Sequence, residues 1–363
     1  MLANELLYFV PAAIFAFLVT YVTIPVLRRV IKAINNRISY SVTELGIGNS
    51  TASVLGIFVS VLATFYIWGG ADFVNSYSYL VAAILLFLLS GYKHGLFGMG
   101  RFNDLFFQVS AAAVLVMGAG MNINELGGLL GVGTVPYPIA VLISITFILA
   151  FSHSLKHLNR MSGLSGGVVV IASAFIGMWF WMAGAFGFAM LSLIISASVI
   201  GFLVYNLNSK SFNLGTTGSK TIGFILGYLS LNFLITNASV AGEAVHLENG
   251  IVFVVALMIV PLLLSILNMM NVFYQKIESD NHKLYDLNEL VDLGLGEYHI
   301  SFFLWIINIF VVGLAFSTMM LEINMQVALL FVTGFALLYI MRAVVIYSDK
   351  LFNIGGTRLL KQD

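Results

Sequence analysis

Four polar segments of a largely apolar chain carry residues whose types and spacing could do chemistry. The first is Gly91-Tyr-Lys93-His94-Gly95, with Gln108 beyond it. The second runs from His153 through Lys156, His157, Asn159 and Arg160 to Ser162 and Gly163. The third is Gly215-Thr216-Thr-Gly218-Ser219, and the fourth is Asp280-Asn-His282-Lys-Leu-Tyr285-Asp286. Lys, Arg and His in this arrangement suit direct binding of a phosphate or similar anion through charge-assisted hydrogen bonds. A glycine-rich stretch ahead of a helix adds backbone N–H groups that donate to the same kind of ligand. His153 and His157 also have the i, i+4 spacing of two metal ligands on one helix, with His94 or His282 to supply a third. No acid lies between them, and no metal site is expected. Cysteine is absent, which excludes disulfides, thiolate zinc sites and cysteine nucleophiles.

The elements that must position these segments follow from composition. Of 363 residues, 60% are hydrophobic and 9% charged, against roughly 45–50% apolar and about 25% charged in an ordinary globular domain. So few charges cannot cover the surface of a soluble fold of this length, and the chain reads as an integral membrane protein. Its formal net charge is zero, with 16 basic and 16 acidic residues, which gives nucleic acid no electrostatic purchase.

Charge-free runs of about 20 residues mark spans, and they occur at 6–27, 51–71, 73–92, 105–124, 126–152, 221–242, 249–275, 300–321 and 323–341. The run 164–206 is too long for one span and is expected to fold back near Gly184-Ala-Phe-Gly187. The expectation is an all-α polytopic bundle of about eleven spans, forming one domain over residues 1–363, its first apolar run a retained span and not a signal peptide. If the spans alternate in direction, every Lys and Arg falls on one side: Arg28, Arg29, Lys32, Arg37, Lys93, Arg101, Lys156, Arg160, Lys210, Lys220, Lys276, Lys283, Arg342, Lys350, Arg358 and Lys361. The positive-inside rule makes that side cytoplasmic, with the N-terminus outside and the C-terminus inside. The opposite loops carry only acids: Glu5, Asp72, Glu125, Glu243, Glu248 and Glu322. Segment 276–299, with Leu284, Leu287, Leu290 and Leu293 at intervals of three, reads as an amphipathic piece that docks on the membrane, on a partner or on its own protein.

In their order and sidedness the four segments resemble the polyprenyl-phosphate N-acetylhexosamine-1-phosphate transferases, the MraY/WecA-like family (glycosyltransferase family 4). Those enzymes pass a sugar phosphate from a UDP-sugar to a membrane lipid phosphate. The family pattern has an Asp-Asp pair three residues after a glycine that ends the third span; here Gly91 and Gln108 keep the frame and the pair positions are His94 and Gly95. The Asn-x-x-Asn-x-x-Asp-Gly-x-Asp-Gly-Leu motif maps to His153, Lys156, Asn159 and Ser162, with Gly163 on the final glycine. Gly-Asp-x-Gly-Ser becomes Gly215-Thr216-Thr-Gly218-Ser219, and of His-x-His-His only His282 remains, with Leu284 and Tyr285 at the other positions. The early Thr-Pro-x-x-Gly-Gly element is reduced to Thr51-Ala-Ser-Val-Leu-Gly56.

The resemblance thus keeps the glycines and loses all five carboxylates. Asp is absent from the whole stretch 105–279, so the second and third motifs stay without one under any shift of register. Phosphoryl transfer depends on positioning and on a metal that neutralises developing charge, and magnesium takes hard oxygen ligands such as carboxylates. The expectation is a non-catalytic homologue that binds a polyprenyl phosphate or lipid-linked glycan at the inner leaflet and serves as a subunit in cell-envelope assembly. It would sit in the bacterial inner membrane, with a membrane or envelope protein partner or a second copy of itself. Its candidate anion ligands are Lys93, His94, His153, Lys156, His157, Arg160, Gly215, Gly218, Ser219 and His282; no catalytic residue, metal or cofactor is expected. An active transferase with another metal site is the first alternative, drawing Mg²⁺ to Asp104, Asp280 and Asp286. A lipid or solute transporter is the second, and the absence of mid-span charge and of paired broken helices speaks against it.

Overall fold

A computed structural model describes residues 2–37, 49–96, 101–159, 161–209, 212–278 and 285–354, with side chains described for 8–33, 50–68, 77–88, 104–159, 161–209, 212–275 and 285–347. The protein is an all-α polytopic membrane protein. Its helices are α1 (Leu2–Arg37), α2 (Asn49–Ser76), α3 (Ser78–Leu96), α4 (Arg101–Gly118), α5 (Tyr137–Leu158), α6 (Leu164–Met182) and α7 (Phe186–Asn208). They are followed by α8 (Gly215–Ser239), α9 (Gly250–Leu257), α10 (Ile259–Glu278), α11 (Leu287–Asp292), α12 (Glu297–Ser317) and α13 (Ile323–Ile354). Among the described residues eight helices are long and apolar enough to cross a membrane, or up to nine if the bent pair α9–α10 is one span; Ser78–Leu88 and Asp104–Gly118 are shorter apolar helices.

The charge-free runs account for most of these boundaries. The run 164–206 does fold back, with α6 ending at Met182, Gly184 at φ +72° and α7 starting at Phe186. Two readings shift. The run 126–152 does not enter an α-helix until Tyr137, because Pro136 fixes the helix entry and Gly127, Gly128 and Gly131 hold left-handed backbone around a single 3-10 turn at Leu129–Gly131. The run 249–275 is broken at Met258, where α9 and α10 meet at 67°. Pro261 lacks the N–H that would bond the Leu257 carbonyl one turn back. That carbonyl accepts instead from Asn308 Nδ2 on α12 at 3.2 Å, which is how a freed backbone group is satisfied where no water reaches.

Small residues set the helix approaches, as expected where lipid gives no hydrophobic drive to association. A Cβ on Gly223 of α8 would lie 2.7 Å from Phe151 O and Ser152 Cα of α5, and one on Gly227 3.0 Å from Ile148 Cα. The two helices therefore touch backbone to backbone. Gly167 of α6 lies under the Trp305 ring of α12, where a Cβ would come within 1.9 Å of Cε2.

Hydrogen bonds also show which helix ends meet. At one end, Tyr205 Oη of α7 donates to Tyr21 O of α1 at 2.7 Å, and Arg28 lies 4.5 Å over the Phe212 ring ahead of α8. At the other, Trp179 Nε1 donates to Val245 O at 3.1 Å, and Asn249 Nδ2 donates to Gln326 Oε1 at 2.8 Å. Asn237, which begins an Asn-Ala-Ser triplet, is buried and braces Leu247 through both its amide donor and acceptor, at 2.8 Å each.

Replacing Gly223 with Ala should destabilise the protein by about 1–3 kcal/mol, because the atoms it meets are backbone and cannot swing away. Gly313→Ala on α12, where nothing lies within 4 Å, should be neutral or stabilising by about 0.5–1 kcal/mol from helix propensity alone. Thermal unfolding of both variants in one detergent checks the opposite signs.

Candidate anion site at the basic end of the bundle

Tight packing of α5 on α8 places the basic last turn of α5 beside the first turns of α8. Ser152 Oγ donates to Lys220 O at 2.9 Å, locking the register. Lys220 Nζ reaches Asp104 Oδ2 on α4 at 2.8 Å, and both side chains are mostly buried, at 11% and 23% exposure. Gln108, one turn along α4, donates from Nε2 to the other oxygen, Asp104 Oδ1, at 2.7 Å. His153 lies within the fields of Lys220, Lys156, Asp104 and His157. Asp104 thus stands with Lys220 and near His153, and Lys156 and His157 belong to the same last turns of α5.

Two polar atoms here lack partners. Ser219 Oγ and Gln108 Oε1 are buried with no hydrogen-bond partner among the described residues; such atoms are rare and each calls for a physical reason. The start of α8 also has no side-chain cap, which leaves its first N–H groups available to an anion. Gly215, at φ +64°, packs on Ser50, and a Cβ on Gly218 would lie 2.3 Å from Val54 Cγ2. These two glycines therefore have a packing role on α2 whatever they bind, and Thr216 between them is exposed.

The second segment divides. Lys156 and His157 join the cluster from the last turn of α5, whereas Asn159 ends the helix. Ser162 and Gly163 turn away toward α7 and α12. Gly163, at φ +81°, donates its N–H to Asn206 Oδ1 at 2.6 Å. Ser162 Oγ donates to Glu297 Oε2 at 2.8 Å, and Ser301 Oγ donates to Ser162 O at 2.7 Å. A carboxylate from α12 thus stands beside Ser162, although the loop itself has none.

Segment 285–292 docks on its own protein. Asn271 of α10 grips Tyr285, donating from Nδ2 to its carbonyl at 2.7 Å, while Arg342 of α13 pairs with Glu289 at 2.9 Å. Burial pushes the Tyr285 phenol well above its usual range, so it stays neutral. With His157, Asn268 and Asp286 it lines a cleft of about 40 Å³. Asp286 itself caps α11, accepting from Asn288 N at 3.2 Å.

Of the residues singled out from the sequence, His153, Lys156, His157, Gly215, Gly218 and Ser219 are brought to one end of the α5–α8 pair. Lys93, His94 and Gly95 fall in the last turn of α3, and their side chains, like Arg160, Asp280 and His282, lie outside the described residues. Lys220, Asn206 and Glu297 were not singled out. Lys220 follows Gly-Ser directly in sequence, which is a usable signal; Glu297 is 135 residues from Ser162 and has none. Among the described residues no three His, Asp or Glu side chains group so as to hold a metal ion.

If the ion pair holds the cluster together, Lys220→Met should cost about 3–5 kcal/mol by stranding Asp104, and Lys220→Met with Asp104→Asn should cost less than that single change. Unfolding in detergent across the four-member mutant cycle checks this. Additive effects would show the pair to be uncoupled.

Sequence comparison finds relatives over much of this region. Residues 76–234, which span α3 to most of α8, match glycosyl transferase family 4. A probable undecaprenyl-phosphate N-acetylglucosaminyl 1-phosphate transferase of Bacillus subtilis is 31% identical over 99 residues, covering 27% of this chain and 26% of that protein. The phospho-N-acetylmuramoyl-pentapeptide-transferase of Staphylococcus carnosus is 23% identical over 246 residues, 60% of this chain and 74% of its own. The decaprenyl-phosphate N-acetylglucosaminephosphotransferase of Mycolicibacterium smegmatis is 27% identical over 174 residues, 44% of this chain and 43% of its own. The matched region carries the Asp104–Lys220 pair and the α5–α8 contact, and over residues 76–234 the chain is similar to glycosyl transferase family 4.

Proposed function

We propose that this protein binds a polyprenyl phosphate, or a glycan linked to one, at the basic end of its bundle without transferring a sugar phosphate. The observation that carries this reading is the Lys220–Asp104 pair. A magnesium site needs carboxylate oxygens free to face the cation. Here one Asp104 oxygen faces an ammonium at 2.8 Å and the other an amide donor at 2.7 Å, so a divalent cation would meet a like charge. A phosphate meets the reverse: Lys156, the imidazoles and the uncapped start of α8 all favour an anion without a metal.

The relatives' names supply the class of lipid, since two of the three include a polyprenyl phosphate. All three are bacterial, which supports placement in the bacterial inner membrane with the Lys and Arg end facing the cytoplasm. A binder of this kind has a place in envelope assembly as a non-catalytic subunit, alone, as a dimer or with another membrane protein.

The test is purified protein given UDP-N-acetylhexosamines, undecaprenyl phosphate and Mg²⁺, with an active family member alongside. No UMP release is expected. Undecaprenyl phosphate should be retained equally with Mg²⁺ and with EDTA, and Lys156→Met should weaken retention about tenfold or more. UMP release above background would overturn the reading.

A second reading, an active transferase with a non-standard metal site, draws on two acids. Asp104 lies in the cluster, and Glu297 stands beside Ser162. It requires that Asp104→Asn or Glu297→Gln abolish turnover; unchanged activity in both would remove it.

A further inference from the structure

The basic end of the bundle holds a second unanswered charge, on the other side from the anion site. Arg28 of α1 is half-buried, and its guanidinium lies over the Phe212 ring at 4.5 Å. Its Nε is buried with no partner, and among the described residues no acid faces it. Arg342 makes the contrast: it too lies over a ring, that of Tyr285, but it pairs with Glu289 at 2.9 Å. A partly desolvated guanidinium is ordinarily met by a carboxylate or a phosphate, whose paired oxygens match its planar fork. Arg28 has the aromatic floor and lacks the anion.

Backbone chemistry fixes where Arg28 stands. Pro25 lies inside α1 and has no N–H for the Tyr21 carbonyl one turn back. Tyr205 Oη of α7 donates to that carbonyl at 2.7 Å, and the two tyrosine rings stack with centroids 5.2 Å apart. The Tyr205 ring in turn lies 5.4 Å from Phe212, whose carbonyl accepts from Asn206 Nδ2. The last turns of α1 are thereby tied to the turn between α7 and α8. Phe212 is held by its own backbone and does not depend on Arg28 for its place.

The surface of α1 says what kind of anion would come. Ile14, Leu18 and Tyr21 are exposed; spaced by four and three, they share one face of the helix with Arg28 and Lys32. From Ile14 to Arg28 that face rises about 21 Å, more than the roughly 15 Å of hydrocarbon in one leaflet. Arg29 and Lys32 are exposed where it ends. An apolar face of leaflet length that ends in three cations fits a phospholipid, its acyl chain along the helix and its phosphate at the arginine. An anionic headgroup suits it better than a choline headgroup, which brings a cation of its own toward Arg29 and Lys32. We propose that Arg28, with Arg29 and Lys32, holds the phosphate of an anionic phospholipid at the basic end of α1. This site is independent of the polyprenyl phosphate reading, because α1 packs on α2 and α7 whereas the Lys220 pair joins α4 to α8.

The test reconstitutes the full-length protein into phosphatidylcholine nanodiscs containing phosphatidylglycerol with a photoreactive group near its phosphate. Cross-links should map to the last turns of α1 and to the peptide with Phe212, and phosphatidylglycerol should be retained in preference to phosphatidylcholine. Arg28→Gln should lower that preference about fivefold, the share of one cation near a charged surface. Arg28→Lys keeps the charge but loses the fork, and it should recover only a minor part of the preference. If Arg28→Gln does not fold, Arg28→Lys and the wild-type cross-link map decide. Retention of undecaprenyl phosphate should be unchanged in both variants, so this proposal and the polyprenyl phosphate reading fail separately. Equal retention of the two phospholipids by the wild type, or cross-links confined to other helices, would overturn the proposal. So would full preference in Arg28→Lys, which would reduce the effect to surface charge. Displacement of phosphatidylglycerol by inorganic phosphate would make the ligand a soluble anion, and displacement by undecaprenyl phosphate would make it the polyprenyl lipid; either would overturn it as well.

Discussion

The backbone contact between α5 and α8 is the constraint on which the site depends. Gly223 and Gly227 remove the side chains that would hold the two helices apart, and Ser152 fixes their register by bonding the Lys220 carbonyl. Packing of this kind is effective in a membrane because apolar side chains gain nothing by leaving lipid for protein, so close van der Waals approach has to supply the attraction. Once the register is fixed, His153, Lys156 and His157 stand on successive turns beside the Lys220 turn of α8. Moving α5 outward by the width of a methyl group would separate its basic last turns from Lys220 of α8.

The rest of the bundle spends its buried polar groups on its own backbone. Ser60 Oγ donates to Ala16 O at 2.6 Å and meets Ser198 Oγ at 3.0 Å, joining α1, α2 and α7. Asn308 repairs the break between α9 and α10, Asn237 and Asn249 close the loops at the acidic end, and Asn206 closes the loop between α5 and α6. Against that economy Ser219 Oγ and Gln108 Oε1 stand out as buried atoms with nothing to bond among the described residues. Gln108 is bonded to the ion pair and Ser219 is the neighbour of Lys220. Two of the unsatisfied groups thus lie beside the Lys220–Asp104 pair, while others, such as Ser230 Oγ and Trp181 Nε1, lie elsewhere in the bundle.

Sequence made the spans legible because a membrane punishes charge, so charge-free length is nearly a direct readout of helix. It made the basic end legible for the same reason. The break at Met258 was not visible, because residues 249–275 are continuously apolar and the compensating Asn308 is on another helix. Nor was the division of the second segment. Lys156 and Ser162 read as parts of one loop, yet α5 carries the first into the cluster while Glu297 and Ser301 hold the second toward α12. Lys220 read as one more interfacial cation, and only the placement of Asp104 on α4 gives it a separate role. Three-dimensional pairing across 116 residues leaves no periodicity to detect, whereas the glycines that enforce it were visible as residues and not as contacts.

That role can be argued from what a lysine does without a partner. A Lys near the end of a membrane helix extends its stem along apolar surface and carries its ammonium out to water. Lys220 does the opposite, with 11% of its side chain exposed and its ammonium turned to Asp104. The acid thus keeps a positive charge at the depth of the α8 start, next to Ser219 in sequence. Had the pair been a carboxylate alone, that depth would be negative and would call for a metal before any phosphate could approach. Had it been the lysine alone, the charge would sit at the water interface. The pair thus holds the Lys220 ammonium close to the start of α8, beside Ser219 and across from Lys156 and His153 of α5.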